Sequence, residues 1–216
     1  MKGVLFTLIC LAWLASPVAA QGHEGCSAGQ GKIVDDALNT AKELTLKAAG
    51  TVGDTSDYQR WFGTYSQLNA ERVRASLKSV VTALRSGAVT VICEDGTEDG
   101  CNAGEYAWVY ADEPYLVHVC PAYFTLPRLT ALRTGTRRSD YGAREGTIVH
   151  EVSHFLLVAD THDHCYSRSE CSEMARQDPA RAIENADSYQ YFTEDVTFFS
   201  REPLGGKPPP APRANR

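Results

Sequence analysis

Apolar positions between residues 32 and 50, at Ile33, Ala37, Leu38, Ala41, Leu44, Leu46 and Ala48, recur among charges at helical spacing. A polar Gly/Thr/Asp stretch over 50–57 breaks the pattern. A second helix is predicted from about Asp57 to Leu84. It carries Trp61, Phe62, Tyr65, Leu68, Val73, Leu77, Val80 and Leu84 on or near one face, and Gly87 suits its stop. Val89 to Cys93 is short and β-branched, and 94–104 is an acidic, Gly-rich loop. Tyr106–Tyr110 and Tyr115–Cys120 flank Ala111-Asp112-Glu113-Pro114 and read as a hairpin. Residues 121–138 read as irregular with a short helix, and the helical pattern returns over 144–159. A polar loop is expected over 160–173, and Pro179 suits the first position of a final helix reaching about Phe199. Helices, then a small antiparallel sheet, then helices make an α+β fold.

The chain's ends read differently from its middle. Lys2, the apolar run Val4–Leu14 and the small residues Val18-Ala19-Ala20 after Pro17 form the pattern of a cleaved signal peptide over residues 1–20. That run is too short to span a bilayer comfortably, so a secreted protein with no stable membrane association is expected. The folded unit is expected over 21–203, with a disordered Pro/Gly-rich tail over 204–216. With few residues between the signal segment and Cys26, no large zymogen segment is expected. Lys+Arg 21 against Asp+Glu 27 leaves a net charge of −6, which argues against a nucleic-acid binder. A monomer is expected.

Cys10 falls within the signal segment, leaving Cys26, Cys93, Cys101, Cys120, Cys165 and Cys171. An even count in an exported chain points to disulfides rather than a Cys-based metal site, which would show paired C-x-x-C units. Among the possible pairings, Cys26–Cys93, Cys101–Cys120 and Cys165–Cys171 are expected.

The sharpest chemical signal is His150-Glu151-Val152-Ser153-His154. Residues i and i+4 share a helix face, so both imidazoles can reach one ion, and Glu151 can address a water on it. The apolar flanks Ile148, Val149, Val152, Phe155, Leu156 and Leu157 suit a buried helix. A third ligand is not fixed by this pentad. Leu157 and Asp160 stand where the longer three-His motif would have Gly and His. Asp160, His162, Asp163, His164, Glu170, Glu173 and Glu184 are all downstream candidates, with Glu194 a further option on the last helix.

The pentad followed by Asp160-Thr161-His162-Asp163-His164-Cys165-Tyr166-Ser167 resembles the aspzincins, the deuterolysins and peptidyl-Lys metalloendopeptidases. Their signature places eight residues between the second His and an Asp inside G-T-x-D-x-x-Y-G, and eight separate His154 from Asp163. Asn185-Ala186-Asp187-Ser188-Tyr189-Gln190-Tyr191-Phe192 is similar to a segment of the Lys-specific branch, and Cys120-Pro121-Ala122-Tyr123-Phe124 more weakly so. The resemblance implies a zincin-like fold and one Zn2+ held by His150, His154 and Asp163. It also implies Glu151 as general base to a zinc-bound water and Tyr166 as hydroxyl donor to the oxyanion. A carboxylate ligand would lower the site's net charge relative to three imidazoles, and a Cys165–Cys171 bridge would pin the loop carrying Asp163 and Tyr166.

Asp160 and Ser167 replace the signature's two glycines. Asp tolerates a positive φ better than Ser does, and Asp160 could also brace a zinc-binding His. His162 and His164 read as solvent-facing or supporting residues, and His118 as structural. The implied function is secreted endopeptidase action on protein or peptide substrates; from its position in the chain, Tyr115–Val119 is expected to be the edge strand that receives them. The resemblance places Asp187 and Gln190 at a Lys-binding pocket. Gln190 stands where the Lys-specific branch has Glu, so a weakened primed-side Lys preference is expected. The competing reading makes Asp187 a brace for a zinc-binding His. Two functional rivals are a catalytically inactive, binding-only zinc module and a zinc hydrolase of another amide such as cell-wall peptide.

Overall fold

The computed structural model describes residues 22–97, 99–101, 104–133 and 136–199. The expected signal segment and C-terminal tail lie outside these residues. Helix α1 (Ala28–Thr51) starts at Ser27, whose hydroxyl accepts from Gln30 N while Gln30 Oε1 accepts from Ser27 N. This reciprocal cap satisfies two helix-end donors and fixes the start. Its buried stripe of Val34, Ala37, Leu38, Ala41 and Ala48 follows the helical period.

The single helix expected over 57–84 is two, α2 (Ser56–Phe62) and α3 (Gln67–Arg85). Gly63 makes the break, with φ +74. A Cβ there would lie 2.3 Å from the Ala175 carbonyl oxygen and 2.6 Å from Pro179 Cγ, so only glycine lets this turn approach the later helices. The turn buries Tyr58, Trp61 and Phe62 against Tyr189, Tyr191 and Phe192. Truncating Phe62 to Ala would cost about 3–5 kcal/mol at such a site.

The sheet is mixed rather than antiparallel. Strands β1 (Gly22–Glu24), β2 (Thr90–Cys93), β3 (Ala107–Trp108) and β4 (Leu116–Val119) lie in the order β1-β2-β4-β3. β1–β2 and β2–β4 are parallel, and only β3–β4 forms the antiparallel hairpin. The α1–α3 excursion returns the chain beside β1 in the same direction, which a crossover permits and a tight turn does not. Cys26 follows β1 and Cys93 ends β2, so their bridge joins the same end of neighbouring strands. β4 is therefore interior, and the outer strand on that side is β3, not Tyr115–Val119 as the sequence suggested.

Helix α4 (Arg144–His154) packs its Ile148, Val149 and Val152 into the core formed by α1, α3 and the sheet. α4 stops at His154, short of residue 159. The expected 160–173 loop ends early, because α5 (Arg168–Gln177) starts from the Ser167 cap. The final helix is divided into α6 (Pro179–Ile183), α7 (Ala186–Glu194) and a π turn, Asp195–Phe199. All three expected disulfides are formed.

Candidate metal centre and substrate cleft

α4 carries His150 and His154 one turn apart, and their Nε2 atoms lie 3.1 Å from each other. Asp163 Oδ1 completes a triangle, 3.2 Å from His150 Nε2 and 3.4 Å from His154 Nε2. Tetrahedral zinc with bonds of about 2.0–2.1 Å separates its ligand atoms by roughly 3.3 Å. The triangle therefore fits such an ion. Glu151 is further away, its Oε1 4.0 Å from His150 Nε2, which suits a base beside the ion better than a ligand.

The other ring nitrogens fix the tautomers. His150 Nδ1 donates to Asp187 Oδ1 at 2.7 Å, and His154 Nδ1 donates to the Thr161 carbonyl at 2.8 Å. In the neutral rings both Nε2 lone pairs then converge with a carboxylate oxygen, an arrangement that a cation satisfies. The local charges point the same way. Burial opposes a charge on His150, but Asp187, Asp163 and Glu151 outweigh it and raise the ring's pKa well above the usual value. Against partial burial, His150 and His154 hold Asp163 far below the ordinary carboxylate range.

The loop after α4 is held by contacts that sequence reasoning missed. Thr161 pairs its hydroxyl with that of Ser153 at 2.6 Å, while its carbonyl orients His154. His162 forms a parallel bridge with Asn185, whose buried Oδ1 accepts from His164 N and Cys165 N at 2.8 and 3.2 Å. The Tyr191 hydroxyl donates to the Tyr166 carbonyl at 3.0 Å. Arg168 lies over the rings of Trp61 and Tyr191 and pairs with Glu194 and Asp195. Asn185 opens the segment that resembles the Lys-specific branch, but the sequence assigns it no role. Arg168 stands in a polar stretch that reads as solvent-exposed.

Two cavities flank the triad and share Glu105, Ala107, His150, Glu151 and Tyr166. One, of about 440 Å³, continues to Tyr141, Thr147, Asp187, Gln190 and Tyr191. The other, of about 470 Å³, continues to Trp108, Val109, Ala111, Leu156 and His162. Glu151 is 4% exposed, and burial raises its pKa against the pull of His150 and His154. Tyr166 is 59% exposed, and partial burial beside Asp163 raises its hydroxyl pKa, so it stays a donor.

Gln190 lies in the first cavity but is 2% exposed, its Nε2 turned 3.3 Å from Glu194 Oε1. Gly146 leaves room for these two side chains, since a Cβ there would lie 2.0 Å from Glu194 Oε1 and 2.9 Å from Gln190 Cγ. Asp187 and Gln190 thus share a helix and a cavity, while Asp187 also braces His150.

A family model described as lysine-specific metallo-endopeptidase, the aspzincin M35 family, matches residues 47–194. The chain belongs to the aspzincin M35 family. This aspzincin is 30% identical over 176 residues to a peptidyl-Lys metalloendopeptidase of Pleurotus ostreatus, covering 79% of this chain and 95% of that one. It is 35% identical over 139 residues to an extracellular protease of Aeromonas hydrophila, covering 64% of this chain. The chain spans 36% of the Aeromonas protein, and 46% of a peptidyl-Lys metalloendopeptidase of Armillaria mellea. A solved zinc peptidase from Grifola frondosa shares the fold, with a TM-score of 0.67 at 24% identity, over 80% of this chain and 99% of that one.

The aspzincin signature's two altered glycines have different local fates. Asp160 takes a left-handed backbone, φ +49. Asp is among the few side chains that tolerate this conformation. Ser167 has φ −131 and needs no glycine; its hydroxyl caps α5 by accepting from Glu170 N at 3.2 Å.

Proposed function

We propose that the protein is a secreted, zinc-dependent endopeptidase. The observation that carries this is the 3.1–3.4 Å triangle of His150 Nε2, His154 Nε2 and Asp163 Oδ1 beside buried Glu151. Zinc, when bound, acidifies a water and polarises the scissile carbonyl. Glu151 takes up a proton at its carboxylate and returns it to the leaving nitrogen. The Tyr166 hydroxyl donates to the oxygen that gains charge as the carbonyl carbon becomes tetrahedral. Export is supported by three disulfides, by the signal-like residues 1–20 and by the relative named extracellular protease. Among the described residues no helix is long and apolar enough to cross a membrane.

The substrate pairs with β3. Tyr106 carbonyl accepts from Cys120 N, which makes Ala107 opposite Val119 a non-hydrogen-bonded pair. Its N–H and C=O therefore face away from β4, toward the cleft that Ala107 lines. A peptide running antiparallel to β3 puts its carboxyl-side residues beside Gly104–Tyr106, at the cavity of Asp187 and Gln190. Asp187 supplies the negative charge that a buried lysine ammonium requires, while Gln190 supplies none. The reading is therefore a weakened preference for Lys after the scissile bond.

The test is digestion of a denatured protein by the purified protein with and without a chelator, with new termini read by mass spectrometry. Cleavage abolished by chelation, restored by zinc and enriched in new amino-terminal Lys is expected. Cleavage indifferent to chelation, or none with zinc bound, contradicts the reading.

A further inference from the structure

We propose that the second cavity is a subsite for a large apolar side chain on the amino side of the scissile bond. The inference rests on the peptidase reading, because strand direction assigns the cavity. A peptide antiparallel to β3 that places its carboxyl side at Asp187 must place its amino side along Trp108, Val109 and Ala111.

The cavity's chemistry selects its occupant. Away from the triad the wall has an apolar side, Trp108, Val109, Ala111 and Leu156, on the β3–β4 connection and the turn after α4, and a polar side, Glu105, Asp160, Thr161 and His162. Leu156 is 55% exposed, and its neighbours outside the cavity, Tyr110 and Leu157, are 55% and 74% exposed. Large aliphatic and aromatic side chains gathered at the mouth of a cleft mark a contact surface more than a solvated one. The patch is continuous with the catalytic cleft, since the cavity runs on to His150, Glu151 and Tyr166.

This wall is also built to hold its shape. The Trp108 ring stacks on His118 with centroids 3.8 Å apart and planes 7° from parallel, and Tyr110 meets it edge-on at 5.1 Å. His118 is in turn paired with Glu94. Leu156 N donates to the Ala111 carbonyl at 3.0 Å, tying the turn after α4 to the β3–β4 connection. An incoming side chain meets a surface whose ordering cost has been met on folding.

The experiment uses the full chain and a peptide library with Lys fixed after the scissile bond and the preceding residues varied. Leu, Phe or Tyr on the amino side should raise kcat/KM by about tenfold over Ser. Leu156→Ser should flatten that preference and leave the residue preferred after the bond unchanged. A flat amino-side profile in the wild type, or a preference there for Lys or Arg, overturns the proposal. A second readout does not need turnover. Zinc-loaded Glu151→Gln should bind fluorescein-labelled Leu- or Phe-containing peptides about tenfold tighter than Ser counterparts by anisotropy. Equal binding overturns the subsite, whereas selective binding without wild-type cleavage overturns only the peptidase reading.

Discussion

Asp187 Oδ1 accepts a 2.7 Å hydrogen bond from Nδ1 of His150. One carboxylate thus faces the cleft and sets the orientation of a candidate metal ligand. The two roles that the sequence offered as alternatives for Asp187 are compatible in one side chain. Its second oxygen lies 4.0 Å from Cys171 Sγ, so the carboxylate rests against the disulfide that pins the ligand loop.

Asp187→Asn is therefore expected to weaken zinc binding by about 10- to 100-fold, because the amide braces the imidazole less well. Competition with a chromogenic chelator measures this. Unchanged zinc affinity combined with lost Lys selectivity would make Asp187 a pocket residue alone.

Arg168 is 15% exposed at its side chain, and its partners Glu194 and Asp195 are 0% and 3% exposed. Arg168→Ala leaves buried Glu194 without its cation and Asp195 with Arg60 as its remaining cation, and is expected to cost about 3–5 kcal/mol. Denaturant unfolding reads this directly. A cost under about 1 kcal/mol, the range of exposed ion pairs, would contradict it.

Burial pushes the Glu194 carboxyl up to about 7, although Arg168 and the Ala143 N–H pull it down. The folded protein then holds this proton more tightly than the unfolded chain. Its contribution to stability is full below the ordinary Glu value of 4.5 and is lost as pH rises to about 7. Glu194→Gln cannot titrate there. The Tm advantage of wild type over Glu194→Gln should shrink as pH rises through this window, and an advantage that grows would reverse the sign.

What the sequence made legible was local. His150 and His154 are set by helix periodicity, and Asp163 by a fixed spacing to a resembled family. The buried stripes of α1 and α3 follow from the same periodicity. The missed features depend on partners far along the chain. Gly63 breaks a helix because Ala175 and Pro179 press on it. Helix α5 is polar on most positions, so its pattern resembles a loop until Ser167 is seen capping it. Strand periodicity carries no neighbour information, so β4 read as an edge although β3 covers it. Glu194, a candidate metal ligand in the sequence, pairs instead with Arg168, whose guanidinium Trp61 and Tyr191 enclose.

The proposed endopeptidase activity stands on a zinc ion held by His150, His154 and Asp163, with Glu151 as base. The most direct measurement is the turnover of Glu151→Gln on a cleavable peptide at matched zinc content. The substitution keeps size and removes the base, so about one zinc per chain should be retained while kcat/KM falls by about 10²- to 10⁴-fold. Near-wild-type turnover by the zinc-loaded variant would contradict the account.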